Sequence, residues 1–129
     1  MIAIPVDFVS ADVKSSKLFG NVKMFALYKP KEDTFFFILN KESGNSIKTA
    51  KMLKKWNIKS VVYSYMGNGP FSQLNKDKID VYYIGKEPMD LNEIIKGLKD
   101  ETFIKVKKSN ADTYLDPGTA TQNCECGCA

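Results

Sequence analysis

Ser60-Val61-Val62-Tyr63-Ser64-Tyr65, followed by Gly67-Asn68-Gly69-Pro70, is the stretch whose reading decides the fold. Its first half is rich in β-branched and aromatic side chains, the composition of a central strand. The glycines break that strand. Proline has its φ preset for a helix and lacks an N–H that a first turn does not use, so a short helix is predicted from Pro70 through about Leu74. Ile79 to Ile84 then reads as a further strand. A strand that returns to the same sheet through a helix runs parallel to the strand before it.

Working outward, Ile2 to Val6 reads as a buried strand, with Pro5 marking where its pairing stops. Val9 to Lys17 is polar and serine-rich, hence a loop, punctuated by Phe19-Gly20. Met24 to Tyr28 and Thr34 to Leu39 are apolar strands joined by Lys29-Pro30-Lys31-Glu32-Asp33, a hairpin connection. Phe35-Phe36-Phe37 belongs to the second of these and is read as buried strand rather than partner surface. Ser43-Gly44-Asn45-Ser46 supplies N-cap candidates. Behind it Ile47, Ala50, Leu53 and Trp56 or Asn57 fall near one face of a helix ending around Asn57, with lysines opposite. Asp90 resembles an N-cap with Glu93 three residues on, and Leu91, Ile94, Ile95 and Leu98 follow at helical spacing. Gly97 weakens that helix. Phe103 to Val106 is a last strand or an extended packing segment. The order predicts an α/β domain over residues 1–106, with a mixed sheet and helices on both faces in three layers.

From Lys107 the composition turns polar, and residues 107–129 are predicted to form a flexible tail. This tail holds every cysteine of the chain, Cys124, Cys126 and Cys128, spaced C-x-C-x-C, while histidine is absent altogether. Thiolates this close together can converge on one soft metal centre, and Gly127 lets the backbone fold tightly around it. An iron–sulfur cluster ordinarily takes four protein ligands. The remaining place falls to a second copy of the chain in a homodimer, to Asp116 or Glu125, or to an exogenous thiol or water. Zinc and copper(I) suit the same sulfur set, and thiol redox chemistry or no role at all are the other readings.

At 129 residues with 43% hydrophobic and 26% charged content, the chain fits one soluble domain with an appendage. No apolar run is long enough for a membrane helix, and the N-terminus lacks the pattern of a signal peptide. A reducing, cytoplasmic setting is therefore expected, with no membrane partner, and in it clustered thiols act as ligands or redox groups. The net charge of +4 comes entirely from lysine. Dispersed lysines without arginine argue against nucleic acid as a partner, because bidentate base contacts and guanidinium stacking favour arginine.

Two further places invite a ligand. Gly67, Asn68 and Gly69 could present backbone N–H groups to an anion, although glycines that merely make the turn explain them as well. Ser15, Ser16 and Phe19 could line a pocket beside that loop, since both loops follow strand ends. Asp7, Glu42, Asp77 and Asp80 carry no recognisable motif for two-metal phosphoryl chemistry, which needs several converging carboxylates. Without histidine no Ser-His or Cys-His pair can form.

Several of these pieces together resemble the dinitrogenase iron–molybdenum cofactor biosynthesis (NifX-like) family: Ile2-Ala3-Ile4-Pro5 with Asp7; Phe19-Gly20 before Phe25-Ala26-Leu27-Tyr28; Ala50 and Leu53 before Ser60-Val61-Val62; Gly67-Asn68-Gly69-Pro70; then Leu74, Ile79, Val81 and Tyr82. The similarity spans about residues 2 to 100. It implies a ribonuclease H-like motif, an α/β/α fold with a five-stranded mixed sheet. It also implies a non-catalytic role: binding, carrying or storing an iron–sulfur or iron–molybdenum cluster. Many members have a histidine just before Phe-Gly; Leu18 stands there in this chain. The sequence thus leads to a cluster carrier, not an enzyme, with iron, an iron–sulfur cluster or an iron–molybdenum cofactor precursor on Cys124, Cys126 and Cys128. Metallocluster donor or recipient proteins would be its partners. A protein–protein adaptor with a zinc-binding or thiol-redox tail is the alternative.

Overall fold

The computed structural model describes residues 1–7 and 13–115 of the chain. Its strands are β1 (Ile2–Val6), β2 (Met24–Lys29), β3 (Thr34–Leu39), β4 (Ser60–Tyr63), β5 (Asp80–Tyr83) and β6 (Ile104–Lys105). The helices are α1 (Ser46–Lys55), α2 (Asn68–Lys76), α3 (Leu91–Lys99) and α4 (Ala111–Tyr114). The strands form a single mixed sheet in the order β3-β2-β1-β4-β5-β6. β1, β2 and β3 form an antiparallel meander, β4 and β5 run parallel to β1, and β6 returns antiparallel to β5. The sheet therefore has six strands where the family resemblance implied five. The sixth, β6, is two residues long and falls within Phe103 to Val106, so of the two readings of that segment the strand is the one that forms.

Alternation along the strands builds two apolar layers. Ala3, Phe25, Leu27, Val61 and Tyr63 face Ala50 and Leu53 of α1 and Phe71 and Leu74 of α2. Ile4, Val6, Ala26, Tyr28 and Val62 face Leu91, Ile94 and Ile95 of α3. Three layers result, as the element order implies.

Local chemistry accounts for the helix ends. Asn45 caps α1, its side chain accepting from the Lys48 N–H at 3.0 Å, and the left-handed φ of +60° at Asn57 ends that helical stretch. The buried side of α1 is Thr49, Ala50 and Leu53, whereas Ile47 and Trp56, expected to share it, are 44% and 41% exposed. Thr49 can turn inward because its hydroxyl meets the Asn40 side chain at 3.1 Å. α2 begins at Asn68, ahead of the expected start, so Pro70 is its third residue, still within the first turn where a missing N–H costs no bond within the helix. Asp90 caps α3 by accepting from the Asn92 N–H at 2.9 Å. Gly97 lets Phe103 pack on α3, since a Cβ there would lie 2.5 Å from the Phe103 ring.

Pro5 does not end the pairing of β1. The register with β2 continues through Val6, while on the other side β4 pairs only with Ile2 and Ala3. There the Pro5 carbonyl accepts instead from the Ser16 N–H at 2.7 Å.

The packed chain continues beyond the boundary expected at residue 106. Val106, Ala111 and Leu115 are buried, and the Tyr114 ring lies 5.4 Å from that of Tyr83. The Tyr63 hydroxyl donates to the Tyr114 carbonyl. Burial, with Tyr83 and Tyr114 nearby, pushes the Tyr63 hydroxyl well above the ordinary tyrosine range, so this donor keeps its proton. No helix among the described residues is long and apolar enough to cross a membrane.

Candidate functional site

β1, β3 and β4 run in one direction, so the connections that follow them gather at one edge of the sheet. β1 is the switch point, its chain turning back to β2 on one side while β4 enters on the other. Open α/β sheets leave a crevice at such a point. Here it is a cleft of about 270 Å³ between residues 18–21, Gly44 and Ser46, and Tyr65 to Gly67 with Pro70.

Hydrogen bonds hold two of its walls together. The buried Asn40 donates from Nδ2 to the Val22 carbonyl at 2.9 Å, and its Oδ1 accepts from the Glu42 N–H at 3.0 Å. The Gly44 N–H donates to the Gly20 carbonyl at 3.0 Å, and Ser43 Oγ to the Asn21 carbonyl at 3.1 Å. The walls approach so closely that a Cβ on Gly20 would lie 2.5 Å from Ser46 Cβ and 2.8 Å from its Cα. The third wall carries Gly67, the N-cap of α2, which supplies no side-chain cap to the helix start.

Of the residues singled out in the sequence, Phe19 and Gly67 both line this cleft. Phe19 is otherwise core, packed edge-on against Phe25 with ring centroids 5.8 Å apart. Ser16 does not line it. That side chain is buried, its Oγ donating to Asp7 Oδ1 at 2.6 Å and accepting from the Leu18 N–H at 3.0 Å, so it shapes the segment leading to the cleft. Ser15 is likewise buried, its Oγ accepting from the Met89 N–H at 2.9 Å. Asn68 and Gly69 open α2 beside the cleft without lining it, and Gly69 lies against Ile47. Cys124, Cys126 and Cys128 lie outside the described residues.

Leu18, Asn21, Ser46, Tyr65 and Met66 complete the lining and were not read as site residues. Only Phe19-Gly20 signalled this wall in the sequence, because tight approach to Ser46 depends on a contact between distant segments. The carboxylates weighed for metal chemistry are dispersed. Asp7 accepts from Ser16, Asp77 from Gln73 Nε2 at 3.0 Å, and Asp80 pairs with Lys105 at 3.3 Å. Among the described residues no three histidine, cysteine, aspartate or glutamate side chains come together.

Residues 1–101 match the family model described as dinitrogenase iron-molybdenum cofactor. The chain belongs to that family. The match takes in the whole cleft and stops before α4 and the cysteines. Solved structures share the fold. The apo form of the orange protein from Desulfovibrio gigas is 18% identical with a TM-score of 0.73, over 81% of this chain and 91% of that one. A candidate NifB protein from Thermotoga is 18% identical at a TM-score of 0.68, covering 83% and 97%. A candidate dinitrogenase from Methanocaldococcus jannaschii gives 18% and 0.60, covering 82% and 93%. A search of curated proteins gives no match. Leu18, the residue before Phe19-Gly20, is 47% exposed at the cleft.

Proposed function

We propose that this protein carries an iron–sulfur or iron–molybdenum type cluster as cargo, held by Cys124, Cys126 and Cys128, while its folded body performs no catalysis. The observation that carries this reading is the placement of soft ligands. The chain has no histidine, and its only thiols are these three, beyond the family-matched body. With Leu18 in the histidine position, the cleft offers oxygen donors, backbone N–H groups, apolar surface and the thioether of Met66, but neither the thiolate nor the imidazole that a cluster ordinarily takes. Membership in the family supports a cluster, iron or a cofactor precursor as the cargo.

The cleft then serves as a second contact for the cargo or its recipient. Phe19 and Gly67 would form its lining, Asn68 and Gly69 the adjoining helix start, and Ser16 would brace the loop. Three thiolates leave one place of four for a group on a donor or recipient protein, an arrangement suited to transfer. The setting we propose is cytoplasmic, where thiols stay reduced.

The test is anaerobic reconstitution with iron and sulfide, comparing the full chain, a truncation after Gln122 and a variant with all three cysteines changed to serine. The full chain should turn brown and hold at least about two iron and two sulfide per chain, the minimum set by a two-iron cluster. Both variants should stay folded and colourless. Iron retained by the truncation would move the site into the body. Stoichiometric zinc in colourless full-length protein would favour the adaptor with a zinc or redox tail.

A further inference from the structure

The two edges of the sheet are built differently. At one edge β6 is two residues long, Lys105 is ion-paired to Asp80 at 3.3 Å, and its carbonyl accepts from Asn110 Nδ2 at 3.2 Å. A short, charged, covered strand is how proteins blunt an edge against pairing. At the other edge β3 runs six residues, Thr34-Phe35-Phe36-Phe37-Ile38-Leu39, in unbroken register with β2. It contains no proline, charge or bulge. Among the described residues its backbone bonds only to β2, so its outer row of N–H and C=O groups is open. Leu39 is 66% exposed, and Phe35, Phe36 and Phe37, expected to be buried, are only half-buried because no strand lies beyond them. On the α1 side a groove of about 420 Å³ runs between this edge and Trp56.

We infer that β3 is a homodimer edge, pairing antiparallel with β3 of a second copy to give one continuous sheet. A two-fold axis perpendicular to the sheet makes such an edge self-complementary and keeps each face continuous, so facing residues come from the same side of the strand. Centring the pair on Phe37 sets Phe37 opposite Phe37 of the second copy and Phe35 opposite its Leu39. On the other face Phe36 meets Ile38. The same register keeps every apolar residue of β3, Phe35 to Leu39, opposite another. Centring one position earlier sets Asp33 against Leu39, and one later sets Phe35 against Lys41. Apolar matching therefore selects a single register.

This goes beyond the cluster reading and is independent of it. Tyr114, which precedes the last described residue Leu115, packs against Tyr83 and accepts from Tyr63 through its carbonyl, toward the far side of the sheet from β3. A β3 dimer thus starts the two tails at opposite ends of the joined sheet.

Light scattering on the full chain, with reductant and chelator present to exclude bridging through thiols or metal, should give twice the 14.5 kDa chain mass. Trp56, the chain's single tryptophan, should shift its emission to the red on dilution as the groove opens to water. Leu39→Lys, a change at an exposed position, should keep the circular dichroism of the wild type and run as a monomer. In a chain whose tail cysteines are serine, Phe37→Cys should oxidise to a covalent dimer, whereas Tyr65→Cys, at the cleft, should not. A monomer at every concentration overturns the inference. So does a dimer unaffected by Leu39→Lys, and so does failure of Cys at position 37 to cross-link in a chain that remains dimeric.

Discussion

Replacing Gly20 by alanine tests whether the close contact that shapes the cleft is as tight as its geometry states. The added Cβ would sit 2.5 Å from Ser46 Cβ and 2.8 Å from Ser46 Cα. The obstacle is backbone at the first residue of α1, so no side-chain rotation removes it. Two connections must separate by most of an ångström, stretching the 3.0 Å bond from the Gly44 N–H to the Gly20 carbonyl. Overpacking of this kind costs about 1–3 kcal/mol, or roughly 4–15 °C in Tm for a domain of this size. Urea denaturation should show a lower midpoint at unchanged slope, the sign of lost stability rather than a changed unfolded state. Ser46→Gly removes the nearer of the two clashing atoms and leaves the other, so the double variant should recover part of the loss, with a coupling of at least about 0.5 kcal/mol. A Gly20→Ala protein within about 0.5 kcal/mol of wild type, or strict additivity with Ser46→Gly, would refute the reasoning.

Tyr63→Phe deletes the donor to the Tyr114 carbonyl and should cost about 1 kcal/mol at neutral pH, with faster hydrogen exchange confined to residues 111–115. Because the folded hydroxyl titrates above the ordinary value of 10.0, its contribution is fully present below pH 10 and is lost as pH rises through the folded value. Alkaline denaturation monitored in both proteins should therefore be shallower in Tyr63→Phe; identical limbs would count against a buried, neutral Tyr63. Asn40→Ala strips partners from the Val22 carbonyl and the Glu42 N–H and should lower stability by about 1–3 kcal/mol in urea titration, with Asn40→Asp no better because the donor is still missing. Leu53→Ala, at a fully buried position between α1 and the sheet, should cost about 2–5 kcal/mol by the same assay, whereas Ile47→Ala on the exposed side should cost far less.

Much of the fold is written in local pattern. Strand composition at residues 60–65, the hairpin around Pro30 and the cap at Asp90 each act within a few residues, and each has its counterpart in the structure. The chemistry of the soft ligands is equally local, because three thiols at C-x-C-x-C spacing and the absence of histidine require no fold to be seen. Where the reading of the chain departed from the molecule, the deciding contact spans a long stretch of sequence. α1 turns Thr49 inward because Asn40 is there to meet it, and the choice between the two readings of residues 103–106 falls to Ile104 and Lys105 meeting Tyr83 and Tyr82. Phe35 to Phe37 look like a core strand by composition, yet their place at the rim follows only from the strand order. The cleft belongs to the same class. Its walls come from three connections brought together by the switch of direction at β1, and no residue within any one of them carries that information. Periodicity and ligand type are properties of neighbouring residues and survive in the bare sequence. Exposure, edge position and close approach depend on which distant segments meet, and folding alone decides them.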